Sequence, residues 1–357
     1  MSANRKTASS PRSSASKSSV GDLRGRLNRL LDRFPTRRLA VIGDLIADEF
    51  LYGQIARVSR EAPVLVLQYR DLVRVPGGAA NAANNLLDLD CRTVVVGTVG
   101  QDDAGAAITR QLRRKNADLR YLKRLNGYHT PVKTRILAGA HHSSPQQIVR
   151  VDRVTEAFTA DSPSGARLRS FEDLHGIILS DYGYGAAEPG GASELVHRAS
   201  RRGIPVVVDS RFRMSEFSGV TSITPNITEL EAASGLQIGS DAKLLRRTGQ
   251  AALRRQRLEC LLVTQGRFGM TLFQPQTKPV HIPIFGSDEV ADVTGAGDTV
   301  IAVFTLALAC GGSAEEAARL ANYAGGIVVM KRGTATVTRR ELRDAIEKDL
   351  AGRVSLQ

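Results

Sequence analysis

Long apolar runs are missing from this chain of 357 residues. None approaches the roughly 18 consecutive apolar residues that a membrane-spanning helix needs, which excludes a helical membrane protein. Cysteine is scarce as well. Cys91, Cys260 and Cys310 are odd in number and lie within apolar runs, which argues against a disulfide framework or metal cluster and fits buried thiols in a reducing cytoplasm. Residues 1–20 hold eight Ser and four Lys/Arg but no apolar block, so they lack a secretory signal, although an organellar transit peptide shares that composition. Acidic residues are the minority sign, 36 against 49 Lys and Arg, for a net charge of +13. Ten basic and two acidic residues in the first 40 account for +8 of it, leaving +5 for the other 317. That segment has no aromatic side chain before Phe34 and no zinc or helix-turn-helix signature, so a solvated basic arm is expected, not a nucleic-acid-binding one.

What is present reads as one α/β domain behind a tail. Residues 1–36 are expected to form a basic, Ser/Arg-rich, largely disordered tail, with a short helix near its end where Leu27, Leu30, Leu31 and Phe34 recur at helical spacing before Pro35. From 37 to 350, short apolar strands at 39–42, 93–96, 176–179, 205–208 and 261–263 alternate with helical stretches such as 79–89, 104–115 and 192–202. This alternation predicts a mainly parallel central sheet with helices on both faces and right-handed crossovers. Two segments, about 50–70 and 130–152, break the rhythm, being rich in β-branched residues with no helix between their strands. They predict a small β-strand lid able to close over a substrate and exclude water, or else an edge hairpin without motion.

Chemistry concentrates in a few turns. Thr294-Gly-Ala-Gly-Asp298 precedes the apolar run 300–309, placing its glycines at a helix N-terminus, where free amides suit an anion. Asp298 there could accept the proton of an attacking hydroxyl, and equally could be a plain helix cap. In Thr224-Pro-Asn226-Ile-Thr-Glu229, Pro225 fixes a turn, and Asn226 with Glu229 forms either a capping box or a polar site. Asp44 and Asp48 follow the first strand, where open α/β sheets bind ligands and carboxylates suit sugar hydroxyls, although aspartates there also form turns. Gly77 and Gly78 precede a helix and permit close ligand approach, with Asn81 offering both a donor and an acceptor.

The run Asp292-Val-Thr-Gly-Ala-Gly-Asp298, together with Gly77-Gly78-x-x-Asn81 and Gly97-x-x-Gly100-x-Asp-x-x-Gly105, closely resembles the signatures of the ribokinase/PfkB carbohydrate kinases. That resemblance implies a ribokinase-like fold and ATP-dependent phosphorylation of a sugar. It further implies an anion hole at Gly295, Ala296 and Gly297, Asp298 as general base, and a monovalent cation such as K+ near Asp292. Mg2+ is implied near Asn226 and Glu229, held by Glu229 through water, and the nucleotide near Thr264, Gly266 and Asn322.

Within the family, residues 39–342 are most similar to the kinases of D-glycero-β-D-manno-heptose 7-phosphate, usually the N-terminal half of a bifunctional enzyme of ADP-heptose synthesis in lipopolysaccharide formation. The likeness rests on Val41-Ile-Gly-Asp44, Arg57-Val-Ser-x-Glu61-Ala-Pro63, Leu179-Ser-Asp-Tyr182 and Lys331-x-Gly-Thr-x-Thr-Val337. It implies that Arg57 and Glu61 touch the substrate from the lid; the alternative is an exposed hairpin salt bridge of little consequence. Two positions depart. Where those kinases carry a lysine this chain has Tyr184, and their Asp-Pro-Lys is Asp209-Ser-Arg211, which keeps a cation able to grip a sugar phosphate. A kinase for another sugar, such as a ketohexose, is therefore the alternative, and a non-catalytic sugar-binding sensor is the rival from another class. No room or His-x-x-His signature for a nucleotidyltransferase half is seen, so a separate adenylyltransferase is expected. A cytoplasmic homodimer, pairing through the lids, completes the expectation.

Overall fold

The structure, a computed structural model, describes residues 12–139, 145–154, 173–286 and 292–355. Its strands in chain order are β1 (Arg38–Gly43), β2 (Leu45–Val58), β3 (Leu65–Gly78), β4 (Arg92–Gly100), β5 (Asp118–Leu125), β6 (Val132–Gly139), β7 (Gln146–Arg153), β8 (Gly176–Asp181), β9 (Val206–Ser210), β10 (Ser222–Ile223), β11 (Cys260–Thr264), β12 (Met270–Phe273) and β13 (Val280–Ile282). Its helices are α1 (Arg12–Arg33), α2 (Ala79–Asp88), α3 (Asp103–Arg114), α4 (Pro189–Ser200), α5 (Ile227–Ser234), α6 (Ala242–Arg255), α7 (Ala296–Ala309), α8 (Ala314–Val329) and α9 (Arg339–Ser355).

Nine strands form the central sheet in the order β13-β12-β11-β10-β9-β8-β1-β4-β5, with every pair from β11 to β5 parallel and only β12 and β13 antiparallel. Both faces are buried, as the continuous apolar runs require. Alternation along β1 sends Leu39 and Val41 into one core layer and Ala40 and Ile42 into the other. The first layer contains α7, apolar all round and buried from Asp298 to Ala307. This arrangement sets the N-terminus of α7 near the carboxyl ends of the parallel strands, where such sheets bind ligands.

The second sheet, β3-β2-β6-β7, is built from the β-branched segments where the lid is expected; residues 140–144 of that expectation lie outside the described residues. β2 pairs with β3 from Leu45 to Val58 as one long hairpin and with β6 in parallel. Apolar side chains on it, among them Leu65, Tyr69, Val149 and Val151, are exposed.

The tail reading needs correcting at its C-terminal end. The helix is not short but runs over 22 residues, and Leu27, Leu30, Leu31 and Phe34 are buried in the first core layer. Arg24 pairs with Glu347, Arg343 with Asp32 and Arg26 with Glu316, tying α1 to α9 and α8. The propensity-only reading could not see that this stripe has a partner 300 residues away; residues 1–11 lie outside the described residues. All three cysteines are buried free thiols, with burial lifting Cys91 to about 12 and Cys260 to about 11. Among the described residues no helix is long and apolar enough to cross a membrane.

Candidate active site

Asp298 occupies the third residue of α7 and is 4% exposed. Its Oδ2 accepts the Asn81 Nδ2–H at 2.9 Å, and its Oδ1 accepts the Tyr182 hydroxyl at 3.0 Å. Burial lifts its pKa to about 7, and the charge of Asp48 adds to the rise; the two hydrogen bonds and the Lys133 charge oppose it. Tyr182, pushed well above its ordinary value by burial and by the Asp298 charge, stays protonated and donates. Asp298 is therefore poised between its two protonation states near neutral pH, as a general base requires.

Asn81 is itself fixed. Its Nδ2 also reaches the Gly295 carbonyl at 3.3 Å, and its Oδ1 accepts from Asn85 Nδ2 at 3.2 Å. Asn85 Oδ1 in turn accepts the Thr299 hydroxyl at 3.0 Å. Gly295 is left-handed, with φ 76°, and a Cβ there would stand 2.6 Å from Asn81 Nδ2, so only glycine lets α7 begin against Asn81. A Cβ on Gly297 would meet nothing within 4 Å, leaving open space before the helix N-terminus. Of the anion-hole trio, Ala296 already donates its amide to the Val293 carbonyl at 3.3 Å. The amide at Gly297 lies in the first turn, where helix N–H groups have no intrahelical partner.

The expected sugar-binding residues divide. Asp48 is the buried acceptor on the Asp298 side, engaged by Arg135 at 2.7 Å and by Thr334 at 3.2 Å. Asp44 is not offered to a ligand. Its two oxygens take the amides of Tyr182, Tyr184 and Ala186 at 2.7, 3.0 and 2.9 Å, and burial raises its pKa while those amides oppose the rise. Asp44 braces the loop that carries Tyr182. Gly77 and Gly78 likewise make room for protein atoms. A Cβ at Gly77 would lie 2.6 Å from Asp48 Oδ2, and one at Gly78 would lie 2.8 Å from the Asp44 carbonyl.

Arg57 and Glu61 are not brought to Asp298. Arg57 is exposed nine positions beyond Asp48 along β2, roughly 30 Å at about 3.3 Å per residue, and Glu61 lies beyond it at the hairpin tip. Among the described residues no ion pair joins them. Arg211, in the loop after β9, is exposed; its backbone amide donates to the Asp181 carbonyl, and its guanidinium lies 5.9 Å from the Phe212 ring.

Asn226 and Glu229, expected near the nucleotide, form a true capping box on α5, each bond 2.9 Å, with Oε1 of Glu229 free of hydrogen bonds among the described residues. Glu229 is raised by burial, and Asp209, at the end of β9, is raised further by burial with the Glu229 and Asp298 charges adding to it. Two crowded hard-oxygen donors suit Mg2+, which takes one or two carboxylates and completes its shell with phosphates and waters. Among the described residues no cluster of three or more His, Cys, Asp or Glu could hold a metal alone. Thr264, Gly266 and Asn322 line one apolar cleft of about 160 Å³ that reaches Ala296 and Gly297. Asn322 Nδ2 donates to the Pro283 carbonyl at 2.9 Å. Asp292 accepts the amides of Thr294 at 2.9 Å and Gly333 at 3.1 Å, pinning the two loops around α7.

A profile of the pfkB family carbohydrate kinases matches residues 36–340. The chain belongs to that family. As a pfkB-family member it is a phosphotransferase acting on a sugar hydroxyl. It is 40% identical to the bifunctional protein HldE of Citrifermentans bemidjiense over 89% of this chain and 65% of that protein. It is 41% identical to HldE of Geobacter sulfurreducens over 85% of this chain and 61% of that protein. The chain thus spans less than two thirds of these relatives. In fold it matches the Arabidopsis thaliana ribokinase complexed with ribose and ATP, with a TM-score of 0.69, 20% identity and coverage of 87% of this chain and 98% of that one. Phosphofructokinase-2 of Escherichia coli gives a TM-score of 0.70 at 17% identity, covering 87% of this chain and 99% of that one. The central sheet with its small second sheet is accordingly ribokinase-like.

Sequence reasoning did not single out Lys133, Arg135, Asn85, Asp209 or Thr334 as site residues, nor give Tyr182 a role. A signal existed for the first two: Lys133-Thr-Arg135 puts two cations on one face of a strand, at the period of two.

Proposed function

We propose that the chain transfers the γ-phosphoryl group of MgATP to the anomeric hydroxyl of D-glycero-β-D-manno-heptose 7-phosphate, giving the 1,7-bisphosphate used in ADP-heptose synthesis. The observation that carries the reading is the buried Asp298 carboxylate with a pKa of about 7, aimed by Asn81 and Tyr182 beside the open N-terminus of α7. In this reading Asp298 takes the proton of the acceptor hydroxyl as the oxygen attacks phosphorus. The free amides of the Gly295–Gly297 turn hold the charge that spreads over the phosphoryl oxygens. Asp48 accepts a sugar hydroxyl, and Arg211 faces the sugar phosphate. Glu229, directly or through water, and Asp209 would hold Mg2+, which would supply charge shielding to the nucleotide phosphates. The nucleotide lies along Thr264, Gly266 and Asn322. The second sheet closes as a lid, its exposed apolar face covered by the lid of a second copy in a cytoplasmic homodimer.

Relatedness to HldE at about 40% identity supports the heptose substrate. Tyr184 favours a second reading, a kinase for another sugar or sugar phosphate, because it removes a cation that the heptose kinases carry. An ADP-release assay over a panel of sugars and sugar phosphates decides: preference for heptose 7-phosphate is expected, and preference for an unphosphorylated hexose would end the heptose proposal.

A further inference from the structure

Positive charge gathers on one helix. Residues 242–257, α6 and the two positions after it, hold six cations and no acid, a local +6 where residues 41–357 together carry +5. Lys243, Arg246, Arg247, Arg254, Arg255 and Arg257 are all exposed, and among the described residues none has a carboxylate within ion-pair distance. The acids of the adjoining segments form no salt bridge with them. Glu231 accepts the amides of Ile238 and Gly239, Asp241 accepts those of Lys243 and Leu244, and Glu216 and Glu259 are exposed.

Arg247, Arg254 and Arg255 border a groove of about 710 Å³ between α5, α6 and the 3-10 turn Met214–Glu216. Its floor is apolar, with Met214 and Leu230 buried, Leu244 half-buried and Leu236 46% exposed. Gln256 braces one wall, its Nε2 donating to the carbonyls of Met214 and, at 3.1 Å, Phe217. Thr248, 5% exposed, lines the groove as well, and its hydroxyl has no hydrogen-bond partner among the described residues. Arg247 and Arg254 are two helical turns apart, about 10 Å, with Ala251 between them on the same stripe. The groove shares no residue with the cleft lined by Asn226, Thr264 and Gly266, or with the one that reaches Ala296 and Gly297.

Clustered cations repel one another, and an anion held among them relieves the repulsion. Guanidinium groups grip phosphate oxygens bidentately, and an apolar floor with a few convergent polar groups is what small-molecule sites present. A nucleic-acid strand fits less well, because the floor offers no aromatic ring on which bases stack. We propose that the groove is a second nucleotide site, separate from the one that serves Asp298, with the nucleoside against the leucines and a diphosphate held by Arg247, Arg254 and Arg255. Neither the sugar-kinase reading nor the heptose assignment bears on it.

Equilibrium dialysis of labelled ADP against the full chain tests the site. The wild type is compared with Arg247→Gln/Arg254→Gln/Arg255→Gln and with Leu236→Glu, which sets a carboxylate in the floor, and Tm is measured for each to confirm folding. Both variants should bind one ADP per chain fewer than the wild type, through an affinity loss of about 100-fold or more at the groove. The double variant Lys243→Gln/Arg257→Gln removes charge outside the groove and should bind as the wild type does. Equal ADP binding by the wild type and the triple variant overturns the proposal, as does an equal loss in the double variant, which would mean diffuse attraction to a basic helix. Inorganic pyrophosphate that displaces the ADP of the groove as well as unlabelled ADP does would overturn the role given to the nucleoside. Tighter capture of a short single-stranded DNA, lost in the same triple variant, would hand the groove to nucleic acid and overturn it too. No turnover is measured, so failure of the Asp298 assignment leaves this result intact, and the reverse holds as well.

Discussion

The burial of Asp298 costs the fold stability as pH rises. Its carboxyl titrates near 3.8 in the unfolded chain and at about 7 in the fold, so between those values the folded state holds the extra proton and stability falls as pH rises. At pH 8 the full penalty applies, on the order of 4 kcal/mol. Asp298→Asn should therefore lower turnover by roughly two to four orders of magnitude while raising Tm at pH 8, with the gain shrinking toward pH 5. Asparagine fits because the Tyr182 hydroxyl can turn to accept. Near-wild-type turnover would remove Asp298 from the mechanism. For the wild type, kcat/KM should climb with pH through about 7 as the carboxylate forms. Tyr182→Phe deletes a bond that favours the charged form, so the acidic limb of that profile should move to higher pH; an unmoved limb would count against the coupling of Tyr182 to the base. The Asp298 motif was legible in the sequence. Its partner Asn81 was seen only as a sugar contact, because a bond between residues 217 apart leaves no local trace.

At the scale of elements, the start of α7 is the most constrained turn. Gly295→Ala would put a left-handed alanine against Asn81 and Thr334, costing about 1–2 kcal/mol from the backbone alone. It should also displace the amide that orients Asp298, so kcat ought to fall well beyond what the lost stability explains; an unchanged kcat would mean Asn81 does not need its present position. The central strands were readable because runs such as Leu39–Ile42 are apolar on both faces, and the second sheet because its segments alternate without a helix. What could not be read was the sharing of acceptors. Asp44 and Asp48 look alike in Gly-Asp-x-x-x-Asp, but three loop amides claim the first, while the second is held by Arg135 and Thr334.

Across the whole molecule, α1 is structural. Leu31→Ala should cost about 2–5 kcal/mol, measurable by denaturant titration. Deleting residues 1–36 removes four buried apolar side chains and three ion pairs to α8 and α9, so it should yield a poorly soluble or much less stable protein, and not merely a kinase without its basic arm. Recovery of a fully stable truncated enzyme would contradict the packing of α1. The helical spacing of Leu27 to Phe34 announced the helix, but not the distant surface that buries it.

The Asp298 carboxylate takes its two hydrogen bonds from partners 217 and 116 positions away. No fragment shorter than the span from Asn81 to Asp298 holds all three residues of that junction. Contacts of such sequence separation form only after large loops have closed, which makes them slow to appear in folding. Kinase activity should accordingly return last during refolding, after the far-ultraviolet dichroism has recovered, and so serves as a clock for the completed topology.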